Sequence, residues 1–486
     1  MTPVTWLILV VGVYMAMVVV IGILGYTRTK ATAEDYYLAG RGLGTVVLVG
    51  TLIATYASMW TFLGAVGGNY RLGISFVSMM MIWNLIWPLM YWFMGTKVWL
   101  LGKKYGYITY SELINDYYDS KWLGIIASII GILALLPYIA VQLMGGGIAV
   151  QTFTKGGISF TAGVTITFLF MVLVIALAGS KSVVWTDTFQ GIFFISVLLG
   201  LAFYAVHLAG GWGNMFSKVA ENNPKLLIPG KLKFGMWVGF IFTWGFAILL
   251  PHMFQRLLMA KDPRTIGKVT VAASIISGWI QTLPLFILGV ACTVLIPGVK
   301  GKATDSMTIM FATKYLSPFL AAVVVGGAFA AGTSTLNSQL LTSSSLVMRD
   351  LIENPSGKKL SPAKETFYGR LTVLILGIIV LIIALFRPGL IVPVSTAGVA
   401  ICISGYMYPL IGVLFWPRAN KVSAFLSMVV AGTVSILTWL VWPFPLKIYN
   451  VLWGLITGGI VFVIVTLLSP PPSQEKLDKF FKITSY

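Results

Sequence analysis

The sequence predicts an all-α polytopic membrane protein with about 13 transmembrane helices, and three observations support this fold class. First, 58% of the 486 residues are hydrophobic and only 10% are charged, with a mean hydropathy of +0.92. Second, apolar segments of roughly 20 residues, the length that crosses a hydrocarbon core as a helix, recur along the whole chain. Third, the longest connections, 210–234 and 298–316, are too short to form a separate soluble domain.

The predicted membrane segments follow one another with short loops between them. They cover residues 4–25, 43–66, 73–100, 123–152, 158–178, 183–209, 235–257, 267–297, 317–348, 368–387, 389–416, 421–442 and 448–468. Lysine and arginine in short loops favour the cytoplasmic side of a membrane. The first loop, with Arg28 and Lys30, and most later basic loops then lie inside. This arrangement predicts an external N-terminus and a cytoplasmic C-terminus, although the loop 210–234 carries four lysines outside.

Composition and motifs also exclude several classes of protein. The net charge of +19 does not indicate nucleic-acid binding, because the basic residues are spread through the short loops of a membrane protein. Cys292 and Cys402 lie in apolar segments without the spacing of a metal site or a disulfide. The embedded sequence lacks the paired acids, metal-ligand cluster or activated nucleophile of an enzyme. It also lacks the repeated filter or charged rings of a channel.

The ninth segment contains a dense group of uncharged polar side chains. Hydroxyl and carboxamide groups occupy most positions from Ala331 to Ser345. On a helix, Ala331, Ser334, Thr335 and Ser338 share one face. Neutral oxygens on one face can replace the hydration shell of a monovalent cation without holding the ion too tightly to release it. The alternative is that these hydroxyls join packed helices by hydrogen bonds, as is common in membranes.

The second and seventh segments combine small, hydroxyl and helix-breaking residues at their centres. The second contains the stretch Thr51–Gly64, and the seventh contains Gly245 and Pro251. A proline removes a helical hydrogen bond, and irregular backbone is tolerated at membrane depth where it lines a cavity. Interrupted helices at matching places of two five-helix halves indicate an inverted-repeat transporter. Glycine and proline are also frequent in ordinary membrane helices, so the pattern alone leaves both interpretations open.

Three further polar residues stand in apolar segments. Asp187, near the start of the sixth, is a candidate functional acid because an embedded carboxylate is costly. Its alternative is a helix N-terminal acid near the inner interface. His252, four residues before Arg256, can titrate or bind a substrate, or serve a structural role near the interface. Gln142 precedes the run Gly145–Gly147, which allows close helix packing.

Several short motifs extend over nearly the whole chain. They are Gly40–Gly44 (GRGLG), Ala54–Ser58 (ATYAS), Trp185–Gln190 (WTDTFQ), Pro251 and His252 with Arg256, Ser334–Leu341 (STLNSQLL) with Arg349 and Asp350, and Phe415–Asn420 (FWPRAN). In these motifs the sequence resembles the sodium:solute symporters, and within them the sodium/pantothenate and monocarboxylate branch. The resemblance implies a leucine-transporter-like fold with an inverted 5+5 repeat. The implied parts are an extra N-terminal helix with the first inner loop (1–42), a first core repeat (43–209), an external loop (210–234), a second core repeat (235–416), two C-terminal helices (417–469) and a cytoplasmic tail (470–486).

The resemblance also implies where sodium binds. The first site would use the backbone carbonyls of Ala54, Ala57 and Ala331 with the hydroxyls of Ser334 and Thr335. A second sodium, present in some members of the family, would use the side chains of Asp187, Ser334, Asn337 and Ser338. Asn337 replaces a smaller hydroxyl residue found in some relatives, so the sequence departs from the pattern at the second site.

The predicted function is sodium-coupled symport of a small organic anion such as pantothenate, pyruvate or lactate, by a multi-pass protein of the cell membrane. Proline transporters of the family carry an acid where this chain has Tyr56, and the absence of that acid fits an anion. The candidate substrate-binding residues are Thr55, Tyr56, Ser58, Thr61, Gln142, Trp244 and Gln339. The alternatives are a sugar or amino-acid substrate, and coupling to protons through Asp187 or His252. Sodium, the solute and the bilayer are the expected partners, without nucleic acid or an obligate protein partner.

Overall fold

The computed structural model describes residues 1–27, 32–176 and 180–482. Over these ranges the chain is helical, and its only β-type pairing is an isolated bridge between Leu43 and Ala260. Arg28 and Lys30 of the first predicted inner loop, the end of the fifth predicted span and the last four residues of the predicted tail lie outside the described residues. The predicted all-α fold is confirmed.

Each predicted span has a helical counterpart. The helices are α1 (Pro3–Tyr26), α2 (Thr45–Tyr56), α3 (Trp60–Leu72), α4 (Ile74–Phe93), α5 (Lys121–Phe153), α6 (Phe160–Ala176), α7 (Ser180–Leu208), α8 (Phe234–Gly245), α9 (Pro251–Leu258), α10 (Pro263–Leu295), α11 (Pro318–Ser345), α12 (Pro362–Leu385), α13 (Ile391–Phe415), α14 (Lys421–Leu440), α15 (Asn450–Leu468) and α16 (Gln474–Phe481). Short helices also cover Ala33–Leu38, Gly95–Tyr105, Tyr110–Tyr118, Gly211–Asn222 and Met307–Tyr315. In the described part of the chain, ten helices are long and apolar enough to cross a membrane, and the bent pair α2–α3 makes an eleventh. The shorter helix α6 and the broken pair α8–α9 account for the other two predicted spans.

Both predicted interruptions are present. Helix α2 ends where Ala57 takes an extended conformation (φ −82°, ψ 131°), and α3 continues at an angle of 63° to α2. Helix α8 ends at Gly245, and α9 begins at Pro251 after the extended Leu250 (ψ 129°). Proline suits the first position of a helix, where its missing N–H is not needed. Each break leaves backbone carbonyls without helical partners in the interior of the protein.

Helices α11 and α13 form the centre of the bundle. In the most apolar part of each, 83% of the residues are buried inside the protein, against 28% for α1 and 33% for α15. Helix α11 packs against α1, α5 and α7. The outer helices instead expose apolar side chains, such as Ile8 of α1 and Ile460 of α15. This distribution is the one expected when lipid surrounds the outer helices and the polar patch of α11 faces protein.

The predicted external end is covered by the segment Gly301–Ser306. The carbonyl of Thr304 approaches Gly67 of α3 so closely that a Cβ there would clash with backbone. Asp305 is buried, and its Oδ2 accepts a hydrogen bond of 2.9 Å from the N–H of Ile391, the first residue of α13. Arg71 of α3 donates to the Thr304 hydroxyl. The segment therefore connects α3 to the start of α13.

The C-terminal helix α16 folds back onto the predicted cytoplasmic end. Phe480 is fully buried, with ring centroids 5.0 Å from Tyr117 and 6.0 Å from Tyr105. The Lys479 ammonium lies 2.6 Å from the carboxylate of Asp116. The predicted tail thus contains a short helix that docks on the loop between α4 and α5.

Candidate functional site

Five buried oxygens from α2, its break and α11 converge beside the interruption between α2 and α3. The Ser334 hydroxyl lies 2.8 Å from the carbonyl of Ala54 and 3.2 Å from that of Ala331. The Thr335 hydroxyl lies 2.9 Å from the carbonyl of Ala57, 3.3 Å from that of Ala331 and 3.5 Å from that of Ala54. All five residues are fully buried. We call this group the oxygen cage; it contains the five residues that the resemblance implied for the first sodium.

Side chains from neighbouring segments hold the break open. The N–H of Met59 donates to Oε1 of Gln142 on α5 over 3.0 Å, and the N–H of Trp60 donates to the Ser58 hydroxyl over 3.0 Å. The N–H of Ser58 donates to the hydroxyl of Thr61 over 3.3 Å. These bonds satisfy donors that a continuous helix would pair internally. The carbonyls of Ala54 and Ala57 are left without helical partners and face the hydroxyls of α11.

The donor set of the cage fits a monovalent cation. Three carbonyl and two hydroxyl oxygens carry no formal charge, whereas divalent calcium or magnesium is usually held by carboxylates. The hydroxyl hydrogens now bond to the same carbonyls, and a bound cation would replace those bonds with ion–oxygen contacts. The oxygens come from two separate segments, so an ion there would hold α2 and α11 together.

Asp187 of α7 belongs to a second group of polar side chains. This group meets α11 at Ser338, one helical turn after Ser334 and Thr335 of the cage. Helix α7 begins at Ser180, so Asp187 lies two turns inside the helix, fully buried, and not at its terminus. Its Oδ2 lies 2.8 Å from Nη2 of Arg256 on α9 and accepts a 2.7 Å hydrogen bond from the hydroxyl of Thr51. The hydroxyls of Thr55 and Ser338 lie 3.2 and 3.4 Å from the same oxygen. Asp187 is therefore an embedded acid with a buried cationic partner.

The residues predicted for a second sodium are only partly brought together. Ser338 contacts Asp187 and also accepts a hydrogen bond from Arg256. Both side-chain polar atoms of Asn337 are buried and have no hydrogen-bond partner among the described residues, and the same is true of Asp187 Oδ1. Sequence reasoning named Arg256 but missed its pairing with Asp187. The available signal was that an embedded acid needs a cation, and the seventh segment carries an arginine near its end.

A cavity with room for about one water molecule lies between the two broken helices. Its lining consists of Tyr56, Trp60, Thr61, Met80, Trp83, Asn84, Trp244 and Gln281. The ring of Trp60 lies 5.6 Å from that of Trp83 and 5.4 Å from that of Trp244. The indole N–H groups of Trp60 and Trp244 both donate to the hydroxyl of Thr396, over 3.3 Å each. The cavity is therefore an aromatic enclosure with a few polar atoms.

Three of the predicted substrate-binding residues line this cavity: Tyr56, Thr61 and Trp244. The other four lie elsewhere. Thr55 bonds to Asp187, Ser58 and Gln142 hold the break, and the Gln339 amide is buried without a partner among the described residues. His252 is also buried and does not line the cavity; its carbonyl accepts a 3.3 Å hydrogen bond from Arg256.

Sequence reasoning missed five lining residues: Trp60, Met80, Trp83, Asn84 and Gln281. The amides of Asn84 and Gln281 gave a usable signal, because carboxamides inside apolar spans are costly and often functional. Each of these amides retains an unpartnered oxygen within the described structure, as does the hydroxyl of Tyr56. The tryptophans gave no such signal, since aromatic residues in apolar segments usually serve packing.

Comparison with known proteins gives one family and several relatives. The model of the sodium:solute symporter family matches residues 36–431. The sodium/pantothenate symporter of Escherichia coli (strain K12) is 28% identical over 434 residues, covering 86% of this chain and 88% of that protein. An osmoregulated proline transporter of Bacillus subtilis (strain 168) is 24% identical over 496 residues, covering 98% of this chain and 97% of that protein.

The fold has a solved counterpart. A sodium-coupled sialic acid symporter, determined in a substrate-bound outward-open state, superimposes with a TM-score of 0.81 at 17% identity. The match covers 96% of this chain and 98% of the other. It extends over both broken helices and the C-terminal pair α14 and α15, so the whole bundle follows the leucine-transporter-like arrangement.

Proposed function

Because the chain belongs to the sodium:solute symporter family, we propose that it couples the uptake of a small monocarboxylate to sodium entry across the cell membrane. The observation that carries this proposal is the oxygen cage, in which five neutral oxygens from two separate segments surround one small volume. Ala54, Ala57, Ala331, Ser334 and Thr335 would hold the sodium ion. A bound sodium ion would supply positive charge at this site, and the sodium gradient across the membrane would supply the free energy for solute uptake.

Coupling follows from which parts the cage joins. Ala54 and Ala57 flank the break between α2 and α3, whereas Ser334 and Thr335 belong to the central helix α11. A ligand that bridges two segments favours the conformation in which those segments are close. The break also borders the solute cavity through Tyr56 and Trp60. Sodium and solute therefore each favour the same arrangement of α2 and α3, which is the condition for reciprocal coupling.

The cavity must widen to admit a solute, and its lining suits an anion that also carries hydrogen-bond donors. None of the residues lining it is acidic, and the unpartnered hydroxyl of Tyr56 can donate to a carboxylate. Helix α3 begins at Trp60, beside the cavity, and a helix N-terminus favours a negative charge. The unpartnered oxygens of Asn84 and Gln281 need donors, which hydroxyl or amide N–H groups of a solute can provide. Pantothenate has all of these groups, and pyruvate lacks the donors.

Uptake into proteoliposomes tests the proposal. Radiolabelled pantothenate, pyruvate, lactate, proline and glucose are each offered with an inward sodium gradient, and again with choline in place of sodium. We expect sodium-dependent uptake that is greatest for pantothenate. Sodium-driven uptake of proline or glucose without carboxylate uptake would contradict the anion assignment. Uptake driven by a pH gradient in sodium-free medium would contradict sodium coupling.

A variant of the cavity makes the test more specific. Gln281→Met keeps the size of the side chain but removes the unpartnered oxygen, so the KM for pantothenate should rise while the sodium requirement is unchanged. The matched control is Gln474→Met on the exposed surface of α16, which should change neither value. If Gln281→Met transports pantothenate and pyruvate with unaltered KM values, the cavity is not the solute site.

A further inference from the structure

We propose that the guanidinium of Arg256 takes the place of a second sodium ion beside Asp187, so that this chain binds one sodium ion in each transport cycle. The inference rests on the proposed function, because it assumes that sodium binds at the oxygen cage. It also replaces the second sodium site that the resemblance implied, at Asp187, Ser334, Asn337 and Ser338.

The side chain of Arg256 already makes the contacts that a cation would make at that site. Its Nη2 lies 2.8 Å from Asp187 Oδ2 and donates to the hydroxyl of Ser338. Its Nε donates over 3.1 Å to the hydroxyl of Thr51, which in turn donates to Asp187. Arg256 and Asp187 are almost completely buried. The guanidinium thus uses the carboxylate oxygen and the Ser338 hydroxyl that a second ion would require.

The charge balance opposes an added ion. Asp187 and Arg256 together carry no net charge, and within the described structure Asp187 supplies the only carboxylate in contact with this group. A second sodium would add one uncompensated positive charge in a buried site, close to the guanidinium and within one helical turn of the sodium at the cage. Like charges in a medium of low polarity repel strongly. The pair is stable because each charge neutralises the other.

The unpartnered atoms nearby do not require an ion. Asp187 Oδ1 and the Asn337 amide have no partner among the described residues. A buried water molecule can bond to such atoms without adding charge. Asn337 also differs from a hydroxyl ligand, because its NH₂ group is a donor that a cation would repel. Asn337 and Arg256 therefore both favour the absence of a second sodium ion beside Asp187.

A tethered cation has a different role from a free one. Sodium that dissociates to the cytoplasm contributes its electrochemical gradient to transport, whereas Arg256 remains attached to α9. Arg256 can neutralise Asp187 and join α9 to α7, α2 and α11, but it adds nothing to the driving force. The gradient of a single sodium ion then sets the maximum accumulation of the solute.

Equilibrium binding of ²²Na⁺ to the purified full-length protein in lipid nanodiscs tests the inference. We expect one sodium ion per chain for the wild type and for Arg256→Lys, which keeps the charge. Arg256→Gln leaves Asp187 without its cation, so we expect a second ion to bind there and the stoichiometry to rise to two. Asp187→Asn combined with Arg256→Gln should return the value to one.

The controls separate this inference from the proposed function. Arg349→Gln removes an arginine from a different cluster, with Glu112 and Glu353, and should leave one sodium ion bound. Ser334→Ala weakens the cage and should lower binding at the same sodium concentration. Two ions bound by the wild type, or one by correctly folded Arg256→Gln, would overturn the inference alone. No sodium bound by the wild type would overturn the proposed function as well.

Discussion

The two sides of the molecule each bury a carboxylate, and they treat it differently. On the predicted cytoplasmic side, two turns inside α7, Asp187 forms an ion pair with Arg256 and accepts a hydrogen bond from Thr51. At the predicted external end, Asp305 accepts a backbone N–H from Ile391, and Arg71 bonds to the neighbouring Thr304 and not to the carboxylate. The first acid is therefore neutralised by a charge pair, and the second has no direct cationic partner among the described residues.

This difference indicates which signal each end can respond to. A buried ion pair is strongly destabilised when one partner is removed, because the other charge is left uncompensated. Asp305 is only partly compensated: burial raises its pKa to about 6, and the Ile391 N–H and the charge of Arg71 offset that effect only in part. We therefore expect the Asp187–Arg256 pair to respond to the loss of either partner, and the external end to respond to pH.

The largest expected effect comes from breaking the charge pair. Asp187→Asn leaves Arg256 buried without a counterion, which should cost about 3–5 kcal/mol of stability. Added sodium should not restore the loss, because sodium cannot neutralise an arginine. Arg256→Gln leaves the acid instead, and its thermal unfolding temperature should rise with sodium. The unfolding temperature of each variant is measured with and without sodium. An equal rise in both variants would contradict the prediction that sodium compensates only for the loss of Arg256.

The external end should lose stability as pH rises. The pKa of Asp305 in the folded protein is about 6, above its ordinary value of 3.8, so the packed segment Gly301–Ser306 binds a proton more readily than the same segment detached from α3 and α13. The packed segment is then most stable below about pH 4 and loses about 3 kcal/mol of stability as the pH rises through 6. Protease protection of Gly301–Ser306 between pH 4.5 and 7.5 measures this change. Asp305→Asn should abolish the pH dependence, and a persistent dependence would assign it to another group.

The oxygen cage should respond to sodium and not to external pH. Thr335→Ala removes one ligand and should raise the sodium concentration for half-maximal uptake roughly tenfold or more. Ser343→Ala is the matched control, because the partner of that buried hydroxyl in the described part of the chain is the carbonyl of Gln339 on the same helix. An unchanged sodium requirement in Thr335→Ala would show that the ion binds elsewhere.

The smallest expected effect concerns a surface pair at the same end as Asp187. Hydrogen bonds from Lys479 and Tyr107 outweigh burial and lower the pKa of Asp116, so its stabilising contact is present at neutral pH and lost as the pH falls. The pair is partly exposed, and such pairs contribute about 1 kcal/mol or less. Asp116→Asn should therefore loosen α16, measured by hydrogen exchange of Gln474–Phe481, without changing sodium binding. A change in sodium affinity would connect the tail to the cage.

The sequence predicted the membrane segments and both helix breaks, because hydropathy and helix-breaking residues are local signals. Hydroxyl spacing indicated only the polar face of α11, and the five residues of the cage came from the resemblance to the family. Of the eight residues that line the cavity, three were predicted to bind substrate. Trp60 and Trp83 cannot be told from packing residues until α3 and α4 are placed side by side. The pairing of Asp187 with Arg256 joins positions 69 residues apart, so it depends on the tertiary arrangement of α7 and α9.

The hydrogen bond between Gln142 and the N–H of Met59 has a consequence for turnover. The joint between α2 and α3 is restrained in part by a side chain of another helix, so we expect its stiffness to depend on Gln142 as well as on the residues of the break. Exchanging that residue for a shorter or apolar one would make the joint looser. Natural variation at such a position offers a simple route to faster or slower carriers with the same selectivity.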